Sequence, residues 1–362
     1  MSLTVDHVSK VVGRDTHIHP TTLTLAAGSL NVLLGATLAG KTSLMRLMAG
    51  LDKPTTGRIL WQGQDVTAKP VQERNVAMVY QQFINYPSLS VYENIASPLK
   101  IRGLPKKTIQ AKVHEAAELL KLTPMLKRRP LELSGGQQQR CALARALVKE
   151  ADLVLLDEPL ANLDYKLREE LRVELPRIFT ASGAVFVYTT TEPTEALLLG
   201  GNTITLHQGQ VTQMGNTLEV YRYPQTLTTA QVFSDPPLNT LSVTKQNQLL
   251  KTLKGQVLAC PLALQTLPDA PYTLGFRPHH FTLQPSSPHD LAFHTQVTVV
   301  ELSGSESFIH LKHEEERWVA LVGGIHDFPL GSAITLYVAP EQVYCFNEQG
   351  KWMSPPSLAQ AA

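Results

Sequence analysis

The sequence predicts an α/β fold built on a parallel sheet and followed by a smaller all-β domain, and three observations predict it. A glycine-rich octet, Gly35-Ala36-Thr37-Leu38-Ala39-Gly40-Lys41-Thr42, lies between an apolar stretch and a helical pattern. Further apolar strands then alternate with helices, as a parallel sheet requires. From about residue 240 the pattern changes to short strands separated by turn signals such as Leu302-Ser303-Gly304-Ser305 and Gly323-Gly324, with no further long helix. The 362 residues, 43% of them hydrophobic, leave room for two folded domains.

Leu23, Leu25, Leu30, Val32 and Leu33 fall in apolar stretches interrupted by Ala26-Ala27-Gly28, which predicts a hairpin leading into a buried strand before the octet. A helix follows over 41–48. Residues 76–80 and 184–189 are strand candidates, and 153–156 form a buried apolar strand ending in Asp157 and Glu158. Ile109, Val113, Ala116, Ala117 and Leu120 recur at helical spacing, which predicts a helical subdomain inserted over about 84–150. The expected division is 1–236 and 237–362. No internal repeat is evident, and the tail 355–362 is expected to be mobile.

The formal net charge of +1 divides unevenly. Residues 240–362 carry 7 Lys or Arg against 10 Asp or Glu, net −3, which leaves +4 on the preceding residues and argues against a nucleic-acid-binding tail. Cys141, Cys260 and Cys345 are isolated and read as buried structural thiols, and the twelve histidines form no metal-ligand cluster; His279-His280 reads as a loop pair. No Ser, His and Asp hydrolase constellation is recognisable. The N-terminus lacks a signal segment and no apolar run approaches the roughly 18 residues of a membrane span. These features predict a chain that is soluble, or held at a membrane by protein contacts. Nine Lys or Arg against two acids over 100–129 read as a solvated helix face before a lipid-facing one.

The octet fits G-x-x-x-x-G-K-[ST], in which backbone N–H groups and a lysine cradle phosphates. Lys41 is expected to neutralise β/γ-phosphate charge, and Thr42 to hold Mg²⁺ at the N-terminus of the following helix. Asp157 sits where a carboxylate holds Mg²⁺ through water, and Glu158 where one orients or deprotonates the attacking water. Ser134 and Gln137 form the S-x-x-Q of a capping box, with Ser134 as the N-cap of a helix through Leu143 and Leu147.

With Leu133-Ser134-Gly135-Gly136-Gln137 placed between these segments, the chain resembles the ATP-binding subunits of ABC transporters. That resemblance implies a phosphate-loop ABC ATPase domain with an inserted helical subdomain, followed by a small OB-like (TOBE) β domain. It further implies that Gly35, Ala36, Thr37, Leu38, Ala39, Gly40, Lys41, Thr42 and Ser43 hold this subunit's ATP. Ser134, Gly135, Gly136 and Gln137 would reach the ATP of a second ATPase subunit, as would Asp164 at the end of the D-loop Leu160-Ala161-Asn162-Leu163-Asp164. Gln81, within Tyr80-Gln81-Gln82-Phe83, matches the Q-loop that joins Mg²⁺ to a permease-docking groove. Tyr221-Arg222-Tyr223-Pro224 and Leu274-Gly275-Phe276-Arg277-Pro278 are similar to the linker and regulatory domain of carbohydrate importers of the maltose and sn-glycerol-3-phosphate branch.

Three positions depart from that branch. Val12 stands where an aromatic would stack on adenine, Leu38 replaces a loop glycine, and Thr191 replaces a switch histidine, although Thr191 also reads as the N-cap ahead of Pro193. The departures affect this subunit's own site and spare the residues offered to its partner. The resemblance, nearest to one of the paired ATPases of bacterial glycerol importers, therefore implies a heterodimer with a second, different ATPase. Two permease subunits and an extracytoplasmic solute-binding protein complete the implied assembly, at the cytoplasmic face of the bacterial inner membrane. The rivals are an ATP-binding scaffold without hydrolysis and a soluble ABC ATPase of translation or repair.

Overall fold

The computed structural model describes residues 2–161 and 163–353, so Asn162 and the tail 355–362 lie outside it. The chain begins with an antiparallel sheet in the order β2-β1-β4-β5, made of β1 (Ser2–Val12), β2 (Asp15–Ala26), β4 (Thr56–Trp61) and β5 (Gln64–Asp65). A six-stranded sheet contains β3 (Leu30–Leu34), β6 (Val76–Val79), β7 (Leu153–Asp157), β8 (Val185–Thr190), β9 (Asn202–His207) and β10 (Gln210–Asn216), in the order β10-β9-β3-β8-β7-β6. All its pairings are parallel except that of β10 with β9. Every residue of β3, β7 and β8 is buried, as expected of central strands covered on both faces.

The expected hairpin at Ala26-Ala27-Gly28 does not form. Its two strands belong to different sheets, because β3 needs neighbours on both edges and finds them in β8 and β9. The turn at Gly28, at a φ of 66°, carries the chain from one sheet to the other, and the hairpin is instead that of β1 with β2. Helix α1 (Lys41–Ala49) lies between the sheets: its Leu44, Met45, Leu47 and Met48 share one apolar cluster with Leu3, Val5 and Ile59 on one side and Leu33, Leu155 and Val187 on the other.

The helical insertion consists of α2 (Val91–Ile101), α3 (Lys106–Leu119) and α4 (Gly135–Leu147). Helix α2 starts at a capping box of Ser90 and Glu93 and buries Val91, Ile95 and Leu99, one face at four-residue spacing. Ile109, Val113, Ala116 and Ala117 are the buried face of α3, as their spacing predicts. Helices α5 (Tyr165–Ser182) and α6 (Pro193–Leu199) flank β8 in sequence.

The chain divides into units Met1–Val220 and Tyr221–Ala362, sixteen residues before the boundary expected at 236/237. The short helix α7 (Thr217–Arg222) spans the division, and α8 (Leu227–Val232) belongs to the second unit. Ala230 of α8 packs with Leu238 and Phe346, and Arg277 donates to the carbonyls of Tyr221 (2.7 Å) and Phe233 (2.7 Å). Arg277 also donates to the Ser234 hydroxyl at 2.9 Å and stacks on the Tyr221 ring, with its guanidinium carbon 3.9 Å from the ring centre.

The second unit has a five-stranded antiparallel sheet, β13-β12-β11-β14-β19, and a four-stranded one, β17-β16-β15-β18. The strands are β11 (Asn239–Gln246), β12 (Leu249–Thr252), β13 (Val257–Ala259), β14 (Pro271–Phe276), β15 (Leu291–Leu302), β16 (Glu306–His313), β17 (Glu316–Gly323), β18 (Ala333–Val338) and β19 (Tyr344–Asn347). Phe276, Phe281, Phe293 and Trp318 fill the core, and the Trp318 indole donates to the Thr240 carbonyl at 3.0 Å. His279 and His280 lie in a 3₁₀ turn between β14 and β15.

Candidate functional site

The carboxyl ends of β3, β6, β7 and β8 point to one edge of the parallel sheet, where α/β proteins build their ligand sites. The octet leaves β3 and opens α1. Gly40 is the N-cap at a φ of 102°, and a Cβ on Gly35 would lie 2.5 Å from the Leu206 carbonyl oxygen, so neither position accepts a larger residue without rearrangement. Leu38 holds a φ of 66° with its side chain 96% exposed, a left-handed conformation that costs a non-glycine residue about 1 kcal/mol.

Lys41 is buried and folds over its own loop, donating to the carbonyls of Gly35 (2.8 Å) and Ala36 (3.0 Å). Its ammonium is 3.5 Å from a Glu158 carboxylate oxygen. Burial pushes the lysine below its ordinary pKa, and the Glu158 charge opposes that shift. Thr42 donates to Asp157 at 2.9 Å, and Thr189, at the end of β8, donates to the same carboxylate at 2.7 Å. The Thr189 hydroxyl also accepts the backbone N–H of Glu158 at 2.9 Å. Glu158 itself has a φ of 45°, a sparsely populated region for a residue with a side chain, and its carboxylate accepts from the Gln81 amide at 2.9 Å. One hydrogen-bonded cluster therefore joins Lys41, Thr42, Gln81, Asp157, Glu158 and Thr189.

A cleft of about 590 Å³ opens on this cluster. Residues 37–43, Gln81 and Glu158 line it, with Thr16, His17, Gln208 and Gly209 forming the rest of its wall. Val12 is not among them: it ends β1, half exposed, paired with Asp15. Thr191 is exposed, and it is not the N-cap of α6, as the sequence had suggested. Pro193 occupies the first helical position, so the cap falls on Glu192, whose N–H is accepted by the Thr190 hydroxyl at 3.0 Å.

The segment Ser134–Gln137 also lies outside the cleft lining. Ser134 caps α4, receiving the Gln137 N–H, while the Gln137 side chain accepts the Ser134 N–H at 3.1 Å. Nothing lies within 4 Å of a Cβ placed on Gly135, so this helix start presents open backbone. Asp164 caps α5, accepting the Leu167 N–H at 3.0 Å.

Three contributors escape a reading of the sequence. Thr189 is signalled only by being a hydroxyl at the end of an otherwise apolar strand. Gln139, buried in α4, donates to the carbonyl of Pro159, directly after Glu158; a glutamine on the apolar face of that helix was the available sign. His17 carries no local signal. Thr42, Asp157 and Gln81 offer hydroxyl, carboxylate and amide oxygens, the hard donors that Mg²⁺ takes alongside phosphate and water, and they fit that ion. Among the described residues no group of three or more His, Cys, Asp or Glu forms a metal cage, and no helix is long and apolar enough to cross a membrane.

Known proteins share this architecture. Residues 18–161 match the ABC transporter family model and residues 274–346 the TOBE domain model. The sn-glycerol-3-phosphate import ATP-binding protein UgpC of Vibrio cholerae is 35% identical over 334 residues, 91% of this chain and 88% of that one. UgpC of Escherichia coli K12 is 35% identical over 337 residues, 92% and 94% of the two chains. Among solved structures, the dimeric ATP-binding cassette MJ0796 bound to ADP and Pi superposes with a TM-score of 0.55 at 25% identity, covering 59% of this chain and 98% of that one.

Proposed function

Since the chain belongs to the ATP-binding subunits of ABC importers, with a cassette followed by a TOBE domain, we propose that it binds and hydrolyses ATP to energise import of a small polyol or its phosphate ester. The observation that carries this is the cluster at the sheet edge: a buried lysine, two threonine hydroxyls and two carboxylates converge on one glycine-rich helix start.

In that reading the loop N–H groups and Lys41 take the β- and γ-phosphates, the ammonium exchanging the Gly35 and Ala36 carbonyls for phosphate oxygens. Thr42, Asp157 and Gln81 hold Mg²⁺, which neutralises phosphate charge when bound. Glu158 orients water, with Thr189 fixing its backbone and Gln81 its carboxylate. Ser134, Gly136 and Gln137 serve the nucleotide of a second subunit. The partners are that subunit, two permease chains and an extracytoplasmic binding protein, with the chain peripheral at the inner face of the membrane. Glycerol is the preferred solute, with sn-glycerol-3-phosphate, carried in the name of the relatives, as its rival.

The strained, exposed Leu38 favours a finer reading, in which this subunit's own site turns over slowly and its partner is a different ATPase. To test both, Glu158→Gln and the matching change in the partner are made separately in the assembled transporter, and ATP hydrolysis and uptake of labelled glycerol and sn-glycerol-3-phosphate are measured. Unimpaired uptake of both solutes when both subunits are changed overturns the importer reading. Equal losses from the two single changes, or an active homodimer of this chain, overturn the asymmetry.

A further inference from the structure

The loops that leave β7 and β8 are tied together twice, and the second tie has no assigned role. At the sheet edge the Glu158 N–H donates to the Thr189 hydroxyl at 2.9 Å. Farther along, one guanidinium serves both loops. Arg168, near the start of α5, donates through Nη2 to the carbonyls of Ala161 (3.2 Å) and Leu163 (3.4 Å) on the loop after β7. Through Nη1 it donates to a Glu192 carboxylate oxygen at 3.4 Å on the loop after β8. Arg172, one turn further along α5, donates to the other oxygen of that carboxylate at 2.8 Å. Glu192 is itself fixed in place as the N-cap of α6, its N–H accepted by the Thr190 hydroxyl at 3.0 Å.

Ala161 closes a turn that begins at Glu158, its N–H donating to the Glu158 carbonyl at 3.3 Å. Glu158 holds a φ of 45°, and a side-chain-bearing residue stays in that region only where its surroundings fix it. Thr189 holds one end of the turn and Arg168 the other. We propose that Arg168 is a positioning residue for Glu158: by binding the turn on one side and Glu192 on the other, its guanidinium sets the direction of the Glu158 carboxylate. The planar fork matters as well as the charge, because separate N–H edges must serve carbonyls and carboxylate at once. This rests on the reading of Glu158 as the group that orients water.

The test measures ATP hydrolysis by the assembled transporter, with kcat normalised to the number of MgATP sites, and hydrogen exchange of the full chain. Alanine keeps α5 helical, so Arg168→Ala removes the tie and spares the helix. Arg168→Ala and Glu192→Ala are each expected to lower kcat about five- to fiftyfold. The KM for ATP should stay within about twofold, because the phosphate contacts are untouched. Arg168→Lys should remain low, and Glu192→Gln, whose amide oxygen still accepts, should recover activity. Arg177→Ala removes an ion pair to Glu174 on the same helix, 3.3 Å long, and should leave kcat unchanged. In a chain already carrying Glu158→Gln, adding Arg168→Ala should lower kcat no further, since it acts through Glu158. Exchange in peptides spanning β7 and the turn to Ala161 should rise in Glu192→Ala, although the substitution lies on the other loop. Unchanged kcat in Arg168→Ala, a KM that rises as far as kcat falls, a further loss on top of Glu158→Gln, or unaltered exchange at that turn overturns the positioning role. If Glu158→Gln itself leaves hydrolysis intact, the reading of Glu158 falls and the role of Arg168 with it.

Discussion

Asp157 receives two threonine hydroxyls of the same chemistry in different surroundings, and the pair makes a quantitative test. Thr189 is fully buried; its hydroxyl donates to the carboxylate at 2.7 Å and accepts the Glu158 N–H at 2.9 Å. Thr189→Val keeps the shape and removes both bonds. A hydrogen bond to a charged group contributes about 1.5–3 kcal/mol, and an orphaned buried N–H costs about 1–3, so the change should cost about 2.5–6 kcal/mol. Thr42 donates to the same carboxylate at 2.9 Å but is exposed, so water replaces its hydroxyl and Thr42→Val should cost less than about 1 kcal/mol. A whole-chain unfolding curve would mix two units. Hydrogen exchange of peptides covering β7 and β8 reads the first unit alone, and protection there should fall about 30-fold or more in Thr189→Val and by less than about fivefold in Thr42→Val. In the assembled transporter Thr189→Val should also lower kcat about 10–100-fold, because Glu158 at a φ of 45° loses the bond that holds its backbone. Equal loss of protection in the two variants would refute the claim that burial decides the worth of these bonds.

Ser134→Ala removes one half of the capping box and should cost about 1 kcal/mol, read as about fivefold lower hydrogen-exchange protection of peptides covering α4, with loss of ATP turnover in the assembled transporter. Leu38 loses no packing on substitution, so backbone strain alone should order the variants in the hydrogen-exchange protection of peptides covering α1. Leu38→Gly should be at least as stable as the parent chain, and Leu38→Val less stable by about 1 kcal/mol. His280 is pushed down to about 4 by burial, with the charges of His279 and Arg277 adding to the shift. The unfolded chain takes up this proton first, near pH 6.5. The stability of the second unit is therefore intact above that pH and falls toward pH 4, by about 2.5 kcal/mol at pH 4.5. The loss of hydrogen-exchange protection between pH 7 and 4.5 in peptides covering β14 and β19, corrected for intrinsic exchange, should be smaller in His280→Asn; an unchanged pH dependence would show that His280 is not the group responsible.

What could be read from the sequence was local. The octet, the two acids ending an apolar strand, and Ser134 with Gln137 are short-range patterns whose chemistry depends on neighbours a few residues away, and they fold as read. The hairpin at Ala27-Gly28 was misplaced because a turn residue marks a change of direction and says nothing about which sheet the next strand joins. That choice is made by β8 and β9, more than 150 residues later. The division at 220/221 falls before the expected boundary for a similar reason, since the partners of Tyr221 and Phe233 include Arg277, 56 and 44 residues further on. Thr189 and His17 reach the site only through pairing of β8 and packing of β2, so no window of sequence contains both them and the residues they serve. Burial of the three cysteines follows the reading of them as structural: all are free and buried, and the Cys141 and Cys345 thiols are pushed up to about 11 and about 12 by burial, which keeps them protonated and unreactive.

Arg277 has one more implication. Among the described residues it is a fully buried cation without a carboxylate partner; carbonyl oxygens, hydroxyls and the faces of Tyr221 and Tyr344 surround it instead. Dipoles and π electrons at that range are neither screened by dissolved salt nor discharged by acid. The segment from Tyr221 to Ser234 is thus fastened to the β sheets by a joint that ionic strength does not loosen, and changes in salt concentration should leave its attachment untouched while they alter the exposed ion pairs elsewhere on the chain.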